Sequence, residues 1–271
     1  MSTTAEKLRA TCAAVREVEA DVQNVHRLLG LYDRAFLTDQ QLLEVVQGTK
    51  PGRESIDGMT ERLDAPRLLQ LLEWPGTLAL EVPNVADPEG VPQAFVLNHF
   101  ADDAPSSIDR FRSFMLSEVF DEGAIVFDST EVKEQTDKAF AAGNLLYYGE
   151  FVSLDRSVST VALLVESYRR VVLQRLQVEV AGVLGKCLEG VRLGTLANTT
   201  GNLRIKRIAS TIGLRRVGVQ VEPRPLHLAQ VLRRDDFGLV GNDPPVAELT
   251  FGLYLGDTRE LRRRFVQRGY L

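Results

Sequence analysis

Residues 144–176 read NLLYYGEFVSLDRSVSTVALLVESYRRVVLQRL and combine a strand pattern, a polar turn and a helix pattern. The first part, 144–154, is apolar and rich in aromatic side chains, as in a buried strand. The turn at 155–160 holds small hydroxylated residues, and apolar residues then recur at helical spacing. We expect Gly182 and Gly185 to end the helix. The turn is either a helix cap or a phosphate cradle, and the pattern leaves both open.

The flanking segments predict further strands and helices. Residues 76–84 and 92–100 are apolar and separated by turn-forming residues, which predicts an antiparallel hairpin. Residues 101–143 are mostly polar, with one helical and one strand-like piece, and we interpret them as an insertion or lid. Later segments predict strands at 188–198, 214–226 and 247–257, a helix at 199–213 and a basic helix at 258–271.

An N-terminal stripe of apolar side chains runs along residues 3–37 at spacings of three, four and seven. This pattern predicts one long helix, which either packs on the body of the domain or forms a homodimer seam. Further helical pieces follow as far as residue 75. We therefore expect an N-terminal helical extension, 1–75, and an α/β domain, 76–271, that carries the 101–143 insertion.

Composition restricts the classes of function. The chain has 271 residues and a net charge of −5, which argues against broad nucleic-acid binding, although its C-terminal tail is locally basic. Two distant cysteines and three scattered histidines give no metal-ligand spacing, so we expect free thiols and no metal. Because no apolar run is long enough to span a membrane and no secretion signal is visible, we expect a cytoplasmic protein.

The element order from residue 76, together with two segments, resembles the GNAT superfamily of N-acyltransferases. The first segment is 144–176. The second, ANTTGNLRIKRIASTIGLRRVGV at 197–219, resembles the late part of the family, where an Asn begins a helix and a Gly-aromatic pair ends it, although Leu214 replaces the aromatic residue here. The resemblance implies a GNAT-like α/β fold with a mixed, mostly antiparallel sheet flanked by helices. It also implies an acyl-CoA (acetyl or longer) or an acyl carrier protein as donor, and an amine as acceptor.

The resemblance places the pyrophosphate of coenzyme A at the start of the helix after residue 154, where backbone N–H groups bind anions. The pantetheine arm would hydrogen-bond the backbone of the preceding strand. The implied cofactor-binding residues are Val152, Arg156, Ser157, Val158, Ser159, Thr160, Val161 and Asn202. For the loop residues and Asn202, helix capping or a solvated side chain is the alternative.

Three residues are candidates for catalysis: Glu150, His99 and Tyr148. The alternatives are a rim carboxylate paired with an arginine for Glu150, a surface or hydrogen-bonded residue for His99 and strand packing for Tyr148. Glu150 lies in an apolar strand, where desolvation suits it to act as a base, and the family often uses a Glu on this strand. Strand alternation puts Tyr148, Glu150 and Val152 on one face. His99 ends a neighbouring strand and is expected to face the same cleft, while Tyr148 is a candidate acid. Gly149 predicts a bulge or a close backbone approach, where N–H groups would bind an oxyanion.

The sequence also departs from the family pattern. Ser159 and Val161 stand where glycine or alanine is usual, and Ala209 stands where many members place the tyrosine that protonates the leaving thiolate. A GNAT-like fold that has lost catalysis and serves as an interaction or regulatory module is therefore the alternative function. If catalysis is retained, the apolar residues of the insertion predict an acyl chain longer than acetyl; these are Phe111, Phe114, Met115 and Phe120.

Overall fold

The structure is a computed structural model. It describes residues 4–35, 63–101, 104–115, 125–141, 145–154, 158–177, 182–193, 196–198, 209–210, 212–225 and 246–271. Predictions for Phe120, Arg156, Ser157 and Asn202 lie outside the described residues.

The described elements alternate between helices and strands along the chain. The helices are α1 Thr4–Ala14, α2 Val22–Ala35, α3 Ala65–Leu72, α4 Pro105–Phe114, α5 Thr130–Ala141, α6 Val158–Ser167 and α7 Thr258–Gln267. Helix α6 continues directly as a π-helix over Tyr168–Leu176. The strands are β1 Arg16–Glu17, β2 Thr77–Val82, β3 Ala94–Phe100, β4 Ile125–Phe127, β5 Leu145–Ser153, β6 Gly182–Leu193, β7 Leu196–Asn198, β8 Arg215–Pro225 and β9 Val246–Gly256.

These strands form one mixed sheet in the order β1-β2-β3-β5-β6-β9-β8-β4, with β7 paired to β6 off this path. Among the described pairs, β5 and β6 are parallel and all others are antiparallel. The chain passes from β5 to β6 through α6, which is the crossover that a parallel pair requires. The prediction of an α/β protein with a mostly antiparallel, mixed sheet is confirmed, and so is the predicted β2–β3 hairpin.

Helices cover both faces of the sheet, and each face has its own apolar core. The core under α1, α6 and α7 includes Leu8, Tyr148, Leu164 and Phe265. The core under α2, α3 and α4 includes Tyr32, Leu68, Phe95 and Phe111. We call the first side of the sheet the α6 face and the second the α2 face.

The prediction of one long helix over residues 3–37 is wrong. Helix α1 ends at Ala14, and Arg16–Glu17 then pairs with β2 at the edge of the sheet. Asp21 caps α2 by accepting a hydrogen bond of 2.7 Å from the backbone N–H of Asn24. The apolar stripe is therefore shared between two helices that lie on opposite faces of the sheet.

A buried carboxylate in β2 fixes this interrupted N-terminus. Glu81 is fully buried, and its Oε1 atom accepts hydrogen bonds from Arg16 Nε at 2.6 Å and from Arg27 Nη2 at 2.7 Å. Breaking one partner of a buried ion pair is costly, so these contacts hold β1 and α2 against β2. Helical periodicity cannot reveal such a contact, because Glu81 lies more than fifty residues away from both arginines.

The 101–143 segment adds a strand to the sheet. The strand-like piece expected there is β4, which pairs with β8, and helix α5 follows it. The prediction that two glycines end the helix that follows residue 160 is wrong. Gly182 and Gly185 lie in β6 and do not end a helix. A Cβ atom at Gly182 would lie 2.5 Å from Leu145 Cδ2, so glycine allows β5 and β6 to approach closely there.

Candidate active site

Strand β5 carries a β-bulge at its centre. The register with β3 pairs Tyr148 with Asn98 and Phe151 with Val96. Two residues of β5, Gly149 and Glu150, therefore oppose the single residue Leu97 of β3. The bulge expected at Gly149 is confirmed.

Gly149 also allows the close backbone approach that its position in the sequence predicts. A Cβ atom there would lie 2.9 Å from His99 Cδ2, 3.0 Å from His99 Nε2 and 3.0 Å from the carbonyl oxygen of Leu97. Such distances are too short for a real side chain, so the histidine ring packs directly on the glycine backbone. The bulge and the buried histidine thus form one packed unit.

The bulge reverses the faces of the residues that follow it. Tyr148 belongs to the core of the α6 face, whereas Val152 belongs to the core of the α2 face. Glu150 also points to the α2 face, where it bonds to Tyr32 of helix α2. The prediction that Tyr148, Glu150 and Val152 share a face is wrong, because an inserted residue breaks the two-residue period of a strand.

Strands β5 and β6 separate immediately after this point. Residues Leu145 to Tyr148 pair in register with Gly182 to Gly185. Within the described residues the two strands pair no further, while β6 continues beside β9 as far as Leu193. A wedge therefore opens between the two parallel strands, and the bulge lies on one of its edges.

Glu150 has a hydrogen-bond partner on helix α2. The hydroxyl of Tyr32 donates to Glu150 Oε2 at 2.6 Å, and the ring of Tyr32 is 1% exposed. Burial, and then the nearby Glu150 charge, raise the pKa of Tyr32 well above its ordinary value. The phenol therefore stays protonated and keeps donating to the carboxylate, which is itself partly exposed.

His99 faces the same side of the sheet as Glu150, as the sequence predicts. The imidazole Nδ1 and the hydroxyl of Thr77 share a hydrogen bond of 2.8 Å, and the ring centroid lies 4.5 Å from that of Phe114. Burial, with a smaller effect of Arg67, lowers the pKa of His99 from 6.5 to about 3. The ring is thus neutral at pH 7, and its contacts fit a role in packing the bulge.

Tyr148 lies on the other side of the sheet from Glu150. Its hydroxyl is buried on the α6 face and has no hydrogen-bond partner among the described residues. Burial raises its pKa above the ordinary value of 10.0, so the phenol stays protonated at neutral pH. A buried hydroxyl without a partner destabilises a fold, and such groups call for a functional or structural explanation.

Helix α6 begins at Val158, five residues after β5 ends. Its first turn contains four of the predicted cofactor-binding residues: Val158 and Val161 are partly exposed, and Ser159 and Thr160 are buried. The first four N–H groups of a helix have no partner within the helix and carry the positive end of its dipole. The loop residues Arg156 and Ser157, and Asn202, lie outside the described residues.

The apolar residues of the 101–143 segment are part of the core. Phe111, Phe114 and Met115 are buried on the α2 face. Phe114 contacts Trp74 with a ring-centroid distance of 5.1 Å, in addition to His99. These side chains therefore form part of the core that packs against His99 and the bulge.

The structure adds residues that the sequence did not single out. In the sequence, Tyr32 belongs to the N-terminal apolar stripe, and nothing in that pattern marks its hydroxyl as a hydrogen-bond donor to a distant carboxylate. Across the wedge, Lys186 lies on the α2 face of β6, two residues after the core residue Leu184. Its ammonium pairs with Glu222 and lies 4.6 Å from the ring centroid of Phe251. An acidic group on one edge of the wedge thus faces the same side as a basic group on the other.

No model of a known protein family matches this chain, and no curated protein sequence matches it. No described helix combines the length and the apolar composition needed to cross a membrane. Within the same described part of the chain, no three histidine, cysteine or acidic side chains gather in a way that suits a metal ion.

Proposed function

We propose that the protein is an N-acyltransferase, a divergent member of the GNAT superfamily, that moves an acyl group from an acyl-CoA to an amine. The observation that carries the proposal is the bulge at Gly149–Glu150 on the edge of the wedge between β5 and β6. The family resemblance predicts a strand that separates from its parallel neighbour and is followed by a helix whose N-terminus receives the pyrophosphate.

Three features of the chain suit a coenzyme A donor. The parallel pair separates after Tyr148, which leaves a strand edge beside which a pantetheine arm can lie. Helix α6 starts soon afterwards and offers its N–H groups at Val158 to Val161 to an anion. The first turn has no acidic side chain that would oppose a phosphate. The bound acyl-CoA supplies an activated carbonyl for attack by an amine.

Glu150 is the proposed base. An attacking amine must lose a proton, and the partly exposed carboxylate of Glu150 can accept it within the wedge. Tyr32 holds the carboxylate in place through its 2.6 Å hydrogen bond. Backbone N–H groups at the bulge are the proposed donors to the developing oxyanion.

The thiolate of coenzyme A that leaves must also receive a proton from an acid. Position 209 holds a buried alanine, so the hydroxyl that many family members use there is absent. Tyr148 remains the proposed acid, since its protonated hydroxyl lies on the strand that borders the wedge. The alanine at 209 is also the observation that favours the second candidate, a GNAT-like fold that acts as an interaction or regulatory module.

Thermal melting with a panel of acyl-CoAs and acyl carrier proteins tests the proposed donor site. A ligand that binds the folded state raises the melting temperature by mass action. Val158→Glu should remove this shift, because the added charge repels phosphate at the helix start. Val158 packs against the core of the α6 face but is partly exposed, so a melting curve without ligand checks that the variant folds. Ser159→Glu should also remove the shift, although burial of Ser159 makes that variant less stable.

Ser106→Glu is the matched control. It adds the same charge to an exposed residue in the first turn of α4, away from the wedge, and should leave the shift intact. Melting curves of the unchanged protein that do not move with any donor would overturn the proposal and favour the interaction module. A shift that survives in Val158→Glu would place donor binding elsewhere.

A further inference from the structure

A second pocket lies on the α6 face, at the junction of α1, α6 and the C-terminal segment. Its volume is about 310 Å³, at the lower end of the range for small-molecule sites. Its polar lining residues are Arg9, Glu166, Arg169 and Arg170, with Cys12 and Tyr270 beside them. Because it lies where α6 changes into a π-helix, it also coincides with a helical form that is frequent at functional sites.

Two of the arginines are held in place by groups of the protein. Glu166 accepts hydrogen bonds from Arg169 Nη1 at 2.7 Å and from Arg170 Nε at 3.3 Å. Two backbone carbonyls extend this network: Val15 O accepts from Arg170 Nη2 at 2.6 Å, and Tyr270 O accepts from Arg169 Nη2 at 3.3 Å. Such contacts orient a guanidinium before any ligand arrives, which lowers the entropy lost on binding.

Arg9 differs from these two arginines. It is exposed at the rim of the pocket and takes part in no ion pair among the described residues. Glu166 faces Arg169 and Arg170, and Glu17 lies 3.7 Å from Arg170. The three arginines exceed these two carboxylates by one positive charge, in a chain whose net charge is −5. A local cationic pocket on an acidic protein favours a small anion over an extended polyanion.

The thiol at the base of this pocket does not offset its charge. Burial, and then the negative charge of Glu166, raise the pKa of Cys12 from 9.0 to about 11. The thiol is therefore neutral at pH 7 and offers a small apolar surface, as do the neighbouring residues of α1. The pocket thus combines a cationic rim with an apolar wall.

We propose that this pocket binds a small organic dianion, whose anionic oxygens contact Arg9 and Arg169 and whose body lies against α1. Guanidinium groups bind phosphate and carboxylate oxygens with paired hydrogen bonds, so a phosphate monoester and a dicarboxylate share the required chemistry. The proposal does not depend on the acyltransferase function, since the pocket lies beside the C-terminal half of α6 and away from its first turn.

Calorimetric titration of the full chain with glycerol phosphate and with succinate tests the proposal. Each titration is matched by potassium chloride at equal ionic strength, because salt alone screens surface charge. Binding of glycerol phosphate alone identifies a phosphate site, and binding of succinate alone identifies a dicarboxylate site. Arg9→Ala and Arg169→Ala should each lower the affinity for the anion by about tenfold, the usual effect of losing a charge-assisted hydrogen bond.

Lys7→Ala is the control for net charge. Lys7 is exposed on the same helix as Arg9 but does not line the pocket, so its loss should leave the affinity unchanged. Two results would overturn the proposal: neither anion binds beyond the chloride control, or Lys7→Ala weakens binding as much as Arg9→Ala. Because Arg9 is exposed, its variant should fold normally, and a melting curve checks this.

Discussion

Polar side chains on the two faces of the sheet around strand β5 differ in their hydrogen bonding. On the α6 face, Tyr148 buries a hydroxyl that has no hydrogen-bond partner among the described residues. On the α2 face, Tyr32 donates its hydroxyl to Glu150, and His99 shares a hydrogen bond with Thr77. The bulge is the cause of this division, because it moves Glu150 to the face on which Tyr32 and His99 already lie.

This difference between the two faces indicates which side chains can exchange protons with a substrate. A carboxylate that has a fixed donor and is partly exposed can exchange protons with a substrate. The neutral, fully packed imidazole of His99 holds its proton state over a wide pH range. The following experiments test whether the α2 face is the reactive one, beginning with the largest expected effect.

Replacing the proposed base gives the largest effect. Glu150→Gln should lower the rate of acyl transfer by roughly 100- to 10,000-fold, the usual contribution of a general base. Binding of acyl-CoA should persist, because the amide keeps the shape of the carboxylate. Release of free thiol from acyl-CoA with a panel of amines measures the rate once an acceptor is found, and an unchanged rate would exclude Glu150 as the base.

The pH dependence of stability tests the state of His99. Its pKa is about 3 in the folded protein and near 6.5 when exposed, so between these values the unfolded chain binds a proton that the folded chain does not. This contribution to stability is complete above about pH 6.5 and is lost as the pH falls toward 3. From pH 7 to pH 4 the loss should be on the order of 3 kcal/mol.

Urea unfolding of His99→Gln at several pH values measures this contribution. The variant should show a weaker loss of stability on acidification than the unchanged protein, since carboxylates contribute equally to both. His26→Gln is the matched control, because His26 is exposed on α2. If His99→Gln and His26→Gln change the pH dependence alike, the buried neutral imidazole is excluded.

Two variants at Gly149 distinguish the effect of close packing against His99 from the effect of the bulge. Gly149→Ala places a methyl group 2.9 Å from the His99 ring and should destabilise the fold by roughly 1–3 kcal/mol. Deleting Gly149 should instead be tolerated, because Glu150 would then oppose Leu97 and the ladder with β3 would become continuous.

The deletion variant should keep its fold and lose acyl transfer, since the irregular backbone that binds the oxyanion is gone. Circular dichroism and urea unfolding report the fold, and thiol release reports the activity. A deletion variant that transfers acyl groups normally would show that the bulge has no catalytic role.

The same substitution on the two faces should give effects of opposite sign. Tyr32→Phe removes a donor to a carboxylate and should destabilise the protein by about 1–2 kcal/mol. Tyr148→Phe removes a buried hydroxyl without a partner and should be neutral or stabilising by up to about 1 kcal/mol. Urea unfolding of the pair measures both. Full activity in Tyr148→Phe would exclude that tyrosine as the acid.

The sequence predicts the elements that have a strong local pattern. The apolar run at 144–154 indicates β5, and the single Gly149 within it indicates the bulge, because glycine in a strand interior serves few other purposes. The same pattern gives the wrong faces for Glu150 and Val152. Glycine within a strand pattern indicates that a bulge is present. The face of the sheet on which the following side chains lie depends on how the strand pairs with β3, which the sequence does not show.

Contacts between distant segments explain the other failures. The Tyr32–Glu150 bond joins residues 118 positions apart, and no local pattern reveals it. The apolar stripe at the N-terminus continues across the break between α1 and α2, which is set by pairing with β2 and by the buried Glu81. Gly182 resembles a helix terminator, although its role is to fit beneath Leu145.

The register around the bulge has a genetic consequence. Since Leu97 can oppose Glu150 directly when Gly149 is absent, one codon separates a regular strand from an irregular one. Every side chain downstream would keep its side of the sheet through such a change. A single in-frame deletion or insertion could therefore remove or restore this local irregularity without redesign of either core.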